Sequence, residues 1–459
     1  MSWAADEVGT VAVGDRRLER RILRVLERLG ERPDQSIPCA SAGWAETQAA
    51  YRLLDNAKLS FENVLAPHRD KTVERMADSR RVLCIADSTE FDYTRQHKSM
   101  AGLGPLNYEH RRGLLGHFLL AATEEGVPLG LVGADLWVRD DEHFGERDLR
   151  QTKPLEEKET ARWVQMAARC TEVAGQLAHT QVVYVADREA DIHELLLQIV
   201  EGHAPRVELV IRSQHNRSQG NDHPYIHQAV AAAPCLGVIE FDLPATPKRD
   251  ARHVRAEVRS ARVQLRGPRR PAQGGSLPGI SLNLVHVCEV DAAVEEPIEW
   301  FLLTTLPLGS LEAAVEVIEI YRLRWTIEVF FRILKTGCKV EDLQLEQVRR
   351  VRCALAFYAI IAWRVQFLTM LGRRVPELAC DVVFAPEEWQ AIWIVSQRKP
   401  PPNEPPPLNQ MIRLLASFGG FLGRKGDGFP GPKAIWIGIQ RTRDFVAALQ
   451  AQKEAATCV

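Results

Sequence analysis

Residues 321–335 carry the polar pattern that most narrows what this chain can fold into. Tyr321, Arg324, Glu328 and Lys335 stand in this segment at offsets of 0, 3, 7 and 14. Each helical residue turns by about 100°, so the four side chains fall within a stripe about 60° wide. Most other positions are apolar: Trp325, Ile327, Val329, Phe330, Ile333 and Leu334. This pattern predicts a largely buried helix whose polar stripe faces a cleft, with ordinary ion pairs on a helix surface as the alternative.

The overall composition sets broad limits. The 459 residues are enough for two or three domains, and the net charge of −2 favours no class of partner. The nine cysteines include no C-x-x-C pair, which predicts a reducing compartment and argues against a disulfide framework or a zinc site. The first residues lack the features of a signal peptide, and the longest apolar run, 353–363, is too short to span a bilayer. We therefore expect a soluble, cytoplasmic protein that does not act at a membrane.

Positive charge is concentrated in two segments of this nearly neutral chain, a distribution that is compatible with nucleic-acid binding. The second basic segment covers 248–270. In the next predicted helix, 41–54, Gln48 and Arg52 are spaced to share a face. A solvated helix face is the alternative for the first cluster. That cluster occupies one segment near the N-terminus, most of it on a helix predicted to end at Gly30, and consists of Arg16, Arg17, Arg20, Arg21, Arg24, Arg28 and Arg32.

Periodicity along the chain predicts an α/β core with helical ends. Residues 1–75 are predicted as a helical domain, 76–345 as the core and 346–459 as a helical C-terminal region. A β-rich insertion is expected over about 206–300, where short β-like runs alternate with turns. The proline-rich run 399–407 predicts a stiff linker or an exposed loop. Core strands are predicted at 81–86, 116–123, 127–138, 181–186 and 300–306, and helices at 156–177, 192–200 and 311–335.

Two aspartates, Asp87 and Asp187, each follow a strongly apolar strand. In α/β sheets functional side chains collect at the carboxyl ends of strands, although Asp187 could instead simply cap the next helix. With Glu328 the chain offers three carboxylates from separate elements, which repel one another unless a cation lies between them. Oxygen ligands without His or Cys favour Mg²⁺ or Mn²⁺, and two such ions support phosphodiester cleavage and transfer. The residues therefore predict a nuclease or a strand transferase.

Three motifs carry a family resemblance: Asp87-Ser-Thr, the string from Asp187 to His193, and the set Tyr321, Arg324, Glu328 and Lys335. They resemble the DDE transposases of the insertion sequence four family, in the subgroup of insertion sequence fifty and the kanamycin transposon. The resemblance implies a ribonuclease-H-like mixed sheet core, interrupted by a β-rich insertion and flanked by helical N-terminal DNA-end-binding and C-terminal dimerisation domains. It implies cut-and-paste transposition through nicking, a DNA hairpin, its resolution and strand transfer. The implied partners are double-stranded DNA at the terminal inverted repeats, target DNA and a second protomer in a homodimeric synaptic complex.

The resemblance also implies roles for individual residues. Asp87, Asp187 and Glu328 are the expected catalytic residues and ligands of Mg²⁺, for which Mn²⁺ can substitute. Trp300 is expected to stack on a base turned out of the DNA helix, with a core tryptophan beside a strand as the alternative. With the basic segments included, the residues expected to contact DNA are Tyr321, Arg324, Lys335, Trp300, Arg17, Arg21, Arg24, Arg52, Arg212 and His215. Three further residues are expected to support the site: Arg188, Glu189 and Asp191.

Two other functions stay open at this point. A decayed or domesticated transposase would grip DNA ends without cutting them, but the presence of all three carboxylates argues against decay. A different metal-dependent DNA nuclease would not need the basic helical N-terminal domain. Inverted repeats in the DNA that flanks the gene would identify the element.

Overall fold

A mixed α/β core lies between two helical regions in the computed structural model, which describes residues 2–108, 110–141, 154–202, 206–219, 225–243, 251–270, 275–290 and 297–457. The helices are α1 Trp3–Val8, α2 Arg16–Glu31, α3 Ile37–Ala40, α4 Trp44–Leu54, α5 Phe61–Ala77, α6 Ala161–Ala174, α7 His193–Glu201, α8 Ile226–Ala231, α9 Leu311–Arg322, α10 Trp325–Arg332, α11 Val348–Arg374, α12 Pro386–Gln397, α13 Leu408–Phe418 and α14 Pro432–Thr457. The strands are β1 Arg81–Asp92, β2 Gly104–Pro105, β3 Arg112–Thr123, β4 Pro128–Trp137, β5 Gln181–Ala186, β6 Val207–Arg212, β7 Cys235–Leu243, β8 Arg252–Leu265, β9 Arg269–Arg270, β10 Gly275–Ser276, β11 Ile280–Glu289 and β12 Glu299–Thr304.

The N-terminal region is helical, as the sequence predicts, and side chains mark where its helices begin. The Asp15 carboxylate accepts hydrogen bonds from the backbone N–H groups of Arg17, at 2.9 Å, and Leu18, at 3.4 Å. These bonds satisfy two amides at the start of α2 that would otherwise have no partner. Ser60 and Asn63 cap α5 reciprocally in the same way. One side of α2 is buried and leaves its arginines outward, and its buried residues are Leu18, Ile22, Val25, Leu26 and Leu29.

The core sheet has the strand order β4-β3-β1-β5-β6. The first three strands form an antiparallel meander, and β5 and β6 then add in parallel to β1. Helices α6 and α7 precede β5 and β6 in the chain, as parallel pairing requires of its connections. This order of an antiparallel meander followed by parallel strands is ribonuclease-H-like, and it confirms the predicted fold class.

The insertion extends the same sheet beyond the core. From β6 the order continues through β12, β11, β8 and β7, with every one of these pairings antiparallel. The predicted insertion of 206–300 therefore begins too early. The strand Val207–Arg212 is buried and pairs in parallel with β5, so it belongs to the core. The chain leaves the core only after this strand and returns through β12, which pairs with β6.

Apolar side chains cover both faces of the core sheet. Successive residues of a strand point to opposite faces. On β1, Val82 and Cys84 pack with the residues of α6 and α7, whereas Leu83 and Ile85 pack with those of α10 and α11. Asp87 continues the odd-numbered series, so the alternation directs its carboxylate to the α10 face.

The segment 311–335, predicted as helical, forms two helices, α9 and α10, followed by the π-helical turn Ile333–Gly337. The side chain of Trp325 is 50% exposed, which corrects the expectation that apolar residues of α10 are buried on most sides. Trp325 opens this short helix, and the helix packs inward through Ile327, Phe330 and Phe331.

Within the described residues α11 is the one helix long and apolar enough to cross a membrane, yet 78% of its apolar window is buried inside the protein. It packs against α2, α5, β4, α13 and α14. This helix thus connects the N-terminal helices, the sheet and the C-terminal helices, as expected of a buried core helix.

The proline-rich run 399–407 is a loop between α12 and α13 that is attached at both ends. Trp393 donates its indole N–H to the carbonyl of Pro400 at 3.1 Å, and Cys380 donates its backbone N–H to Pro406 at 3.0 Å. Of the two predicted forms, the loop is the one observed.

A buried polar network connects the first helix to the core. Glu7 Oε2 lies 2.6 Å from His68 Nδ1, and Arg75 donates to Glu7 Oε1 at 2.7 Å. The other ring nitrogen of His68 accepts from the backbone N–H of Leu131 at 3.1 Å, and the ring lies 4.7 Å from the Trp363 ring. A neutral imidazole that donates from Nδ1 satisfies both contacts. Helices α1, α5 and α11 and strand β4 therefore meet at this network.

Substituting Glu7 should destabilise the protein strongly. Glu7→Ala leaves the Arg75 cation without its buried partner, and breaking such a pair costs about 3–5 kcal/mol. We expect a large fall in the denaturant midpoint of unfolding. The matched control is Glu62→Ala, which breaks the exposed ion pair with Arg69 and should cost about 1 kcal/mol or less. Equal losses in the two variants would contradict the role of the network.

Candidate active site

Asp87 and Asp187 leave neighbouring strands at the same level. Strands β1 and β5 pair in parallel, with Ala86 opposite Ala186. The residue that follows each of these alanines is an aspartate, Asp87 or Asp187. Parallel neighbours lie about 4.8 Å apart, which brings the two carboxylates side by side. Asp187 also accepts from the backbone N–H of Glu189 at 2.8 Å and caps a short turn. The capping role and the place beside Asp87 therefore apply to the same residue.

Glu328 reaches the same place from α10, and Arg324 connects it to Asp87. Arg324 Nη1 donates to Asp87 Oδ2 at 2.9 Å, and its Nη2 donates to Glu328 Oε1 at 2.5 Å. Arg324 and Glu328 are about one helical turn apart, which places their side chains on one side of α10. The Asp87 and Arg324 side chains are only 15% and 16% exposed, so water screens this contact weakly.

The electrostatics of Asp87 reflect this crowding. Burial raises the pKa of Asp87 to about 7, the Arg324 charge opposes the rise, and the negative charges of Asp187 and Glu328 add to it. The structure thus brings together the three predicted carboxylates. A positive charge between them is favourable, and in this structure the guanidinium of Arg324 supplies part of it.

The donor set fits a hard divalent cation. All three side chains offer oxygen, the type of ligand that Mg²⁺ and Mn²⁺ prefer. Burial is the main cause of the raised pKa of Asp87, and the charges of Asp187 and Glu328 add to it, so a cation at this position would favour the ionised carboxylate.

Lys335 opens onto the same cleft as Asp87 but points farther along β1. It lies in the π-helical turn after α10, and such turns are frequent at functional sites. Burial lowers the pKa of Lys335, while the nearby acids Glu341 and Glu90 oppose that shift. The cleft has a volume of about 570 Å³, and both Asp87 and Lys335 line it. Of the predicted polar stripe, Arg324 and Glu328 are in direct contact and Lys335 lies at a neighbouring part of the cleft.

Trp300 and Tyr321 form an aromatic group beside the insertion. The Trp300 ring stacks on Phe241 at 5.8 Å between centroids and meets the Tyr321 ring edge-on at 5.6 Å. Tyr321 is 7% exposed, and burial raises the pKa of its phenol, with the charges of Arg324 and Arg212 opposing the shift. Trp300 is half-buried, so packing against neighbours and a face open to a ligand are both compatible with its position.

His215 lies in the loop after β6, and Asp191 holds that loop in place. Asp191 Oδ2 accepts from the backbone N–H groups of Gln214, at 2.7 Å, and His215, at 2.9 Å. Arg217 also pairs with the buried Asp191 carboxylate. The side chain of His215 is left exposed. Asp191 therefore organises the loop, while Arg212, in the last position of β6, donates to the backbone carbonyl of Glu299 at 3.2 Å.

The N-terminal arginines lie on helices separate from the carboxylates. Arg17 and Arg52 are exposed, and Arg52 donates to Gln48 at 3.4 Å, as their predicted shared face requires. Arg21 is half-buried. The guanidinium of Arg24 lies 3.6 Å from Glu46 and 3.9 Å from Glu27, so part of its charge is compensated within the protein.

A polar group that was not predicted from the sequence lies on the opposite face of β1. Ser88 Oγ lies 2.8 Å from His117 Nδ1, and burial lowers the pKa of His117 to about 3. Beside them Arg139 binds Glu159 at 2.6 Å in the wall of the cleft. The available signal was local, since Ser88 follows Asp87 directly after the strand predicted at 81–86, and the observed β1 continues through it to Asp92. Its partner depends on the register between β1 and β3, which the sequence does not reveal.

Comparison with known families covers nearly the whole chain. The family description "Transposase DNA-binding" matches residues 1–59, "Transposase DDE domain" matches 78–364, and "Transposase Tn5 dimerisation domain" matches 360–457. One solved structure, the piggyBac transposase synaptic complex with hairpin DNA, is 9% identical with a TM-score of 0.37. That alignment covers 81% of this chain and 72% of the other. The DDE domain alone spans more than half of the sequence, so the chain belongs to the DDE transposases, with the Tn5-like arrangement of flanking domains.

Proposed function

We propose that this transposase carries out cut-and-paste transposition through metal-dependent nicking, hairpin formation and resolution, and strand transfer. The observation that carries the proposal is that Asp87 and Asp187 follow paired positions of β1 and β5, while the Arg324 guanidinium joins Asp87 to Glu328 on α10. Three carboxylates crowded in this way repel one another, so the arrangement favours chemistry that brings in cations. Phosphodiester transfer with divalent ions is such a chemistry.

In this proposal the three carboxylates hold Mg²⁺, for which Mn²⁺ can substitute. DDE transposases generally use divalent metal ions. The ions would activate the attacking water or hydroxyl and stabilise the leaving oxygen. Asp87 and Asp187 are fixed by the paired strands β1 and β5, and Glu328 is fixed by α10. Rigid elements on all three sides support a preorganised site.

Arg324 and Lys335 are proposed to hold backbone phosphates beside the scissile bond, with Tyr321 assisting. Phosphate contacts of this kind set the register of the DNA without reading its sequence. Arg324 is suited to the task because its planar guanidinium already binds two carboxylates and can bind phosphate oxygens by the same geometry. The role of Lys335 is supported by its place in the lining of the cleft together with Asp87, and that of Arg324 by its contact with Asp87.

Trp300 is proposed to receive a base turned out of the DNA during hairpin formation. Support comes from its half-buried position and from Phe241 and Tyr321, which hold the indole from two sides. An aromatic face held in this way offers a stacking surface at little cost in side-chain freedom.

We propose that residues 1–75 bind the terminal inverted repeats and that 346–459 form the homodimer of the synaptic complex, with 76–345 as the catalytic core that also engages target DNA. The residues proposed to contact DNA outside the cleft are Arg17, Arg21, Arg24, Arg52, Arg212 and His215. We place the reaction in the cytoplasm, where the free thiols of the described cysteines would persist.

Removing any of the three carboxylates should abolish cleavage and leave DNA-end binding close to wild type. Asp87→Ala, Asp187→Ala and Glu328→Ala each remove a proposed ion ligand, whereas the grip on DNA is assigned to basic residues. Cleavage of a labelled element end and a gel-shift assay measure the two properties. Glu90→Gln, in the same cleft but outside the carboxylate group, is the matched control and should keep most of the cleavage. Loss of end binding as severe as loss of cleavage, in a folded variant, would count against this division of roles.

Without metal, Asp87→Asn should raise the melting temperature at pH 8. The pKa of Asp87 is about 7 in the folded protein against 3.8 as a reference. Between these values the folded state keeps a proton that the unfolded state releases, so stability falls as pH rises from about 4 to 7 and stays low above it. The substitution removes that cost, of the order of a few kcal/mol, and its advantage should disappear near pH 4.

Added Mg²⁺ should stabilise wild type at pH 8, because the ion would offset the cost of the ionised Asp87 carboxylate in the folded protein. It should have little effect on Asp87→Asn, which lacks that charge. Asp70→Asn, at an exposed position on α5, serves as the control and should follow wild type. A wild-type melting temperature that changes neither with pH nor with added Mg²⁺ would overturn the proposed cation site.

Trp300→Ala should separate hairpin chemistry from the first nick. Stacking of a base on an aromatic ring contributes about 1–3 kcal/mol, so hairpin formation or resolution should slow by roughly 10- to 100-fold. The first nick should stay largely intact, and Trp300→Phe should recover part of the loss. Time courses on labelled element ends resolve the steps. A folded alanine variant that forms and opens hairpins at the wild-type rate would make Trp300 a core residue.

A further inference from the structure

A second group of possible metal ligands lies in the insertion, away from the carboxylates of the cleft. It consists of His286 and Cys288 on β11 and Glu299 on β12, which we call the insertion triad. One ligand atom from each residue lies within 4.8 Å of the others, and His286 Nε2 is 3.0 Å from Glu299 Oε1. The triad thus combines one nitrogen, one sulfur and one oxygen donor.

Strand geometry explains why these side chains converge. His286 and Cys288 are two residues apart on β11, so they point to the same face of the sheet. Glu299 is directly opposite Cys288 on the neighbouring strand, where facing side chains are in contact range. Trp300 follows Glu299 and therefore points to the other face, where it meets Phe241. Glu299 of the triad and Trp300, the proposed base-stacking residue, therefore point to opposite faces of the sheet from adjacent positions of β12.

The imidazole of the triad is held in a fixed orientation. His286 is only 5% exposed and stacks on Phe301 at 4.4 Å with 4° between the ring planes. Phe301 in turn stacks on His227 at 3.9 Å. His286 Nδ1 is buried and has no hydrogen-bond partner among the described residues. The ring is thus preorganised and has bonding capacity that the described protein does not use.

The surroundings leave the triad open to an ion from one side. Glu299 has a side chain that is 54% exposed, and Cys288 is half-buried with a free thiol. The nearest cation on the adjoining strand, Arg259, binds Glu257 at 2.6 Å, so its charge is compensated locally. A ligand set that is closed on the protein side and open to water on the other matches a three-ligand site with a free fourth position.

We propose that His286, Cys288 and Glu299 bind a transition-metal ion of borderline softness, with Zn²⁺ as the best match. Thiolate, imidazole and carboxylate are the usual ligands of Zn²⁺, whereas Mg²⁺ prefers oxygen alone. The chain would then hold two chemically distinct ion sites. The absence of a C-x-x-C pair, which argued against zinc in the sequence, excludes only the common spacing. Here the ligands are a His-x-Cys pair and a glutamate from the next strand.

Cobalt substitution tests this site directly. The full-length protein is stripped with a chelator and titrated with Co²⁺ in the absence of DNA and Mg²⁺. We expect a thiolate-to-cobalt charge-transfer band that saturates at one equivalent of the bound Co²⁺, and we expect Zn²⁺ to remove this band. Cys288→Ser should remove the band. Glu299→Gln should weaken Zn²⁺ binding by more than the roughly 10- to 100-fold that loss of an outer-shell partner costs.

Two controls identify the ligands. Cys235→Ser removes an exposed thiol elsewhere in the insertion, and Asp87→Asn alters the cleft. Neither variant changes a residue of the insertion triad, so both should keep the band. Circular dichroism verifies that each variant is folded, and the exposed position of Glu299 makes its substitution the mildest. A wild-type protein without the band, a band that survives Cys288→Ser, or a folded Glu299→Gln variant with unchanged Zn²⁺ affinity would each overturn the proposal.

Discussion

The site depends on the parallel pairing of β1 with β5. With Ala86 opposite Ala186, the next residues are Asp87 and Asp187, so backbone hydrogen bonds hold two negative charges together that would otherwise separate. A one-residue slip of register would turn one carboxylate to the other face of the sheet. The hydrogen-bonded pairing of β1 with β5 therefore holds the two carboxylates together against their repulsion. Arg324, from the helix that covers this face, offsets part of that repulsion.

The same alternation organises the rest of the sheet. Odd-numbered residues of β1 face α10 and the carboxylate group, and even-numbered residues face α6 and α7. The rule continues into the insertion, where neighbouring residues of β12 serve opposite faces. Trp300 belongs to the side of Tyr321, while Glu299 belongs to the side of His286. A single extended sheet thus carries two chemically different surfaces.

Local patterns were sufficient for the carboxylates and insufficient for their neighbours. Asp87 and Asp187 could be found because an apolar strand followed by an acid is visible in a few consecutive residues. The assignment of Val207–Arg212 to the core could not, because it depends on pairing with β5 over a distance in the chain. The insertion triad could not be predicted for the same reason, because Glu299 comes from a strand whose pairing with β11 is not visible in the sequence. Lys335 departed from the predicted stripe because it lies within the π-helical turn Ile333–Gly337, whereas the predicted periodicity assumes a regular α-helix.

The network of Glu7, His68 and Arg75 has a consequence for the order in which the chain can mature during synthesis. Its aromatic wall, Trp363, is made some 350 residues after Glu7, and Arg349 of the same helix donates to backbone carbonyls between α4 and α5. The N-terminal helices therefore cannot complete their packing while the ribosome is still translating the core. The region that matches the transposase DNA-binding family lacks part of its packing until α11 has emerged, which couples completion of that region to completion of the core sheet.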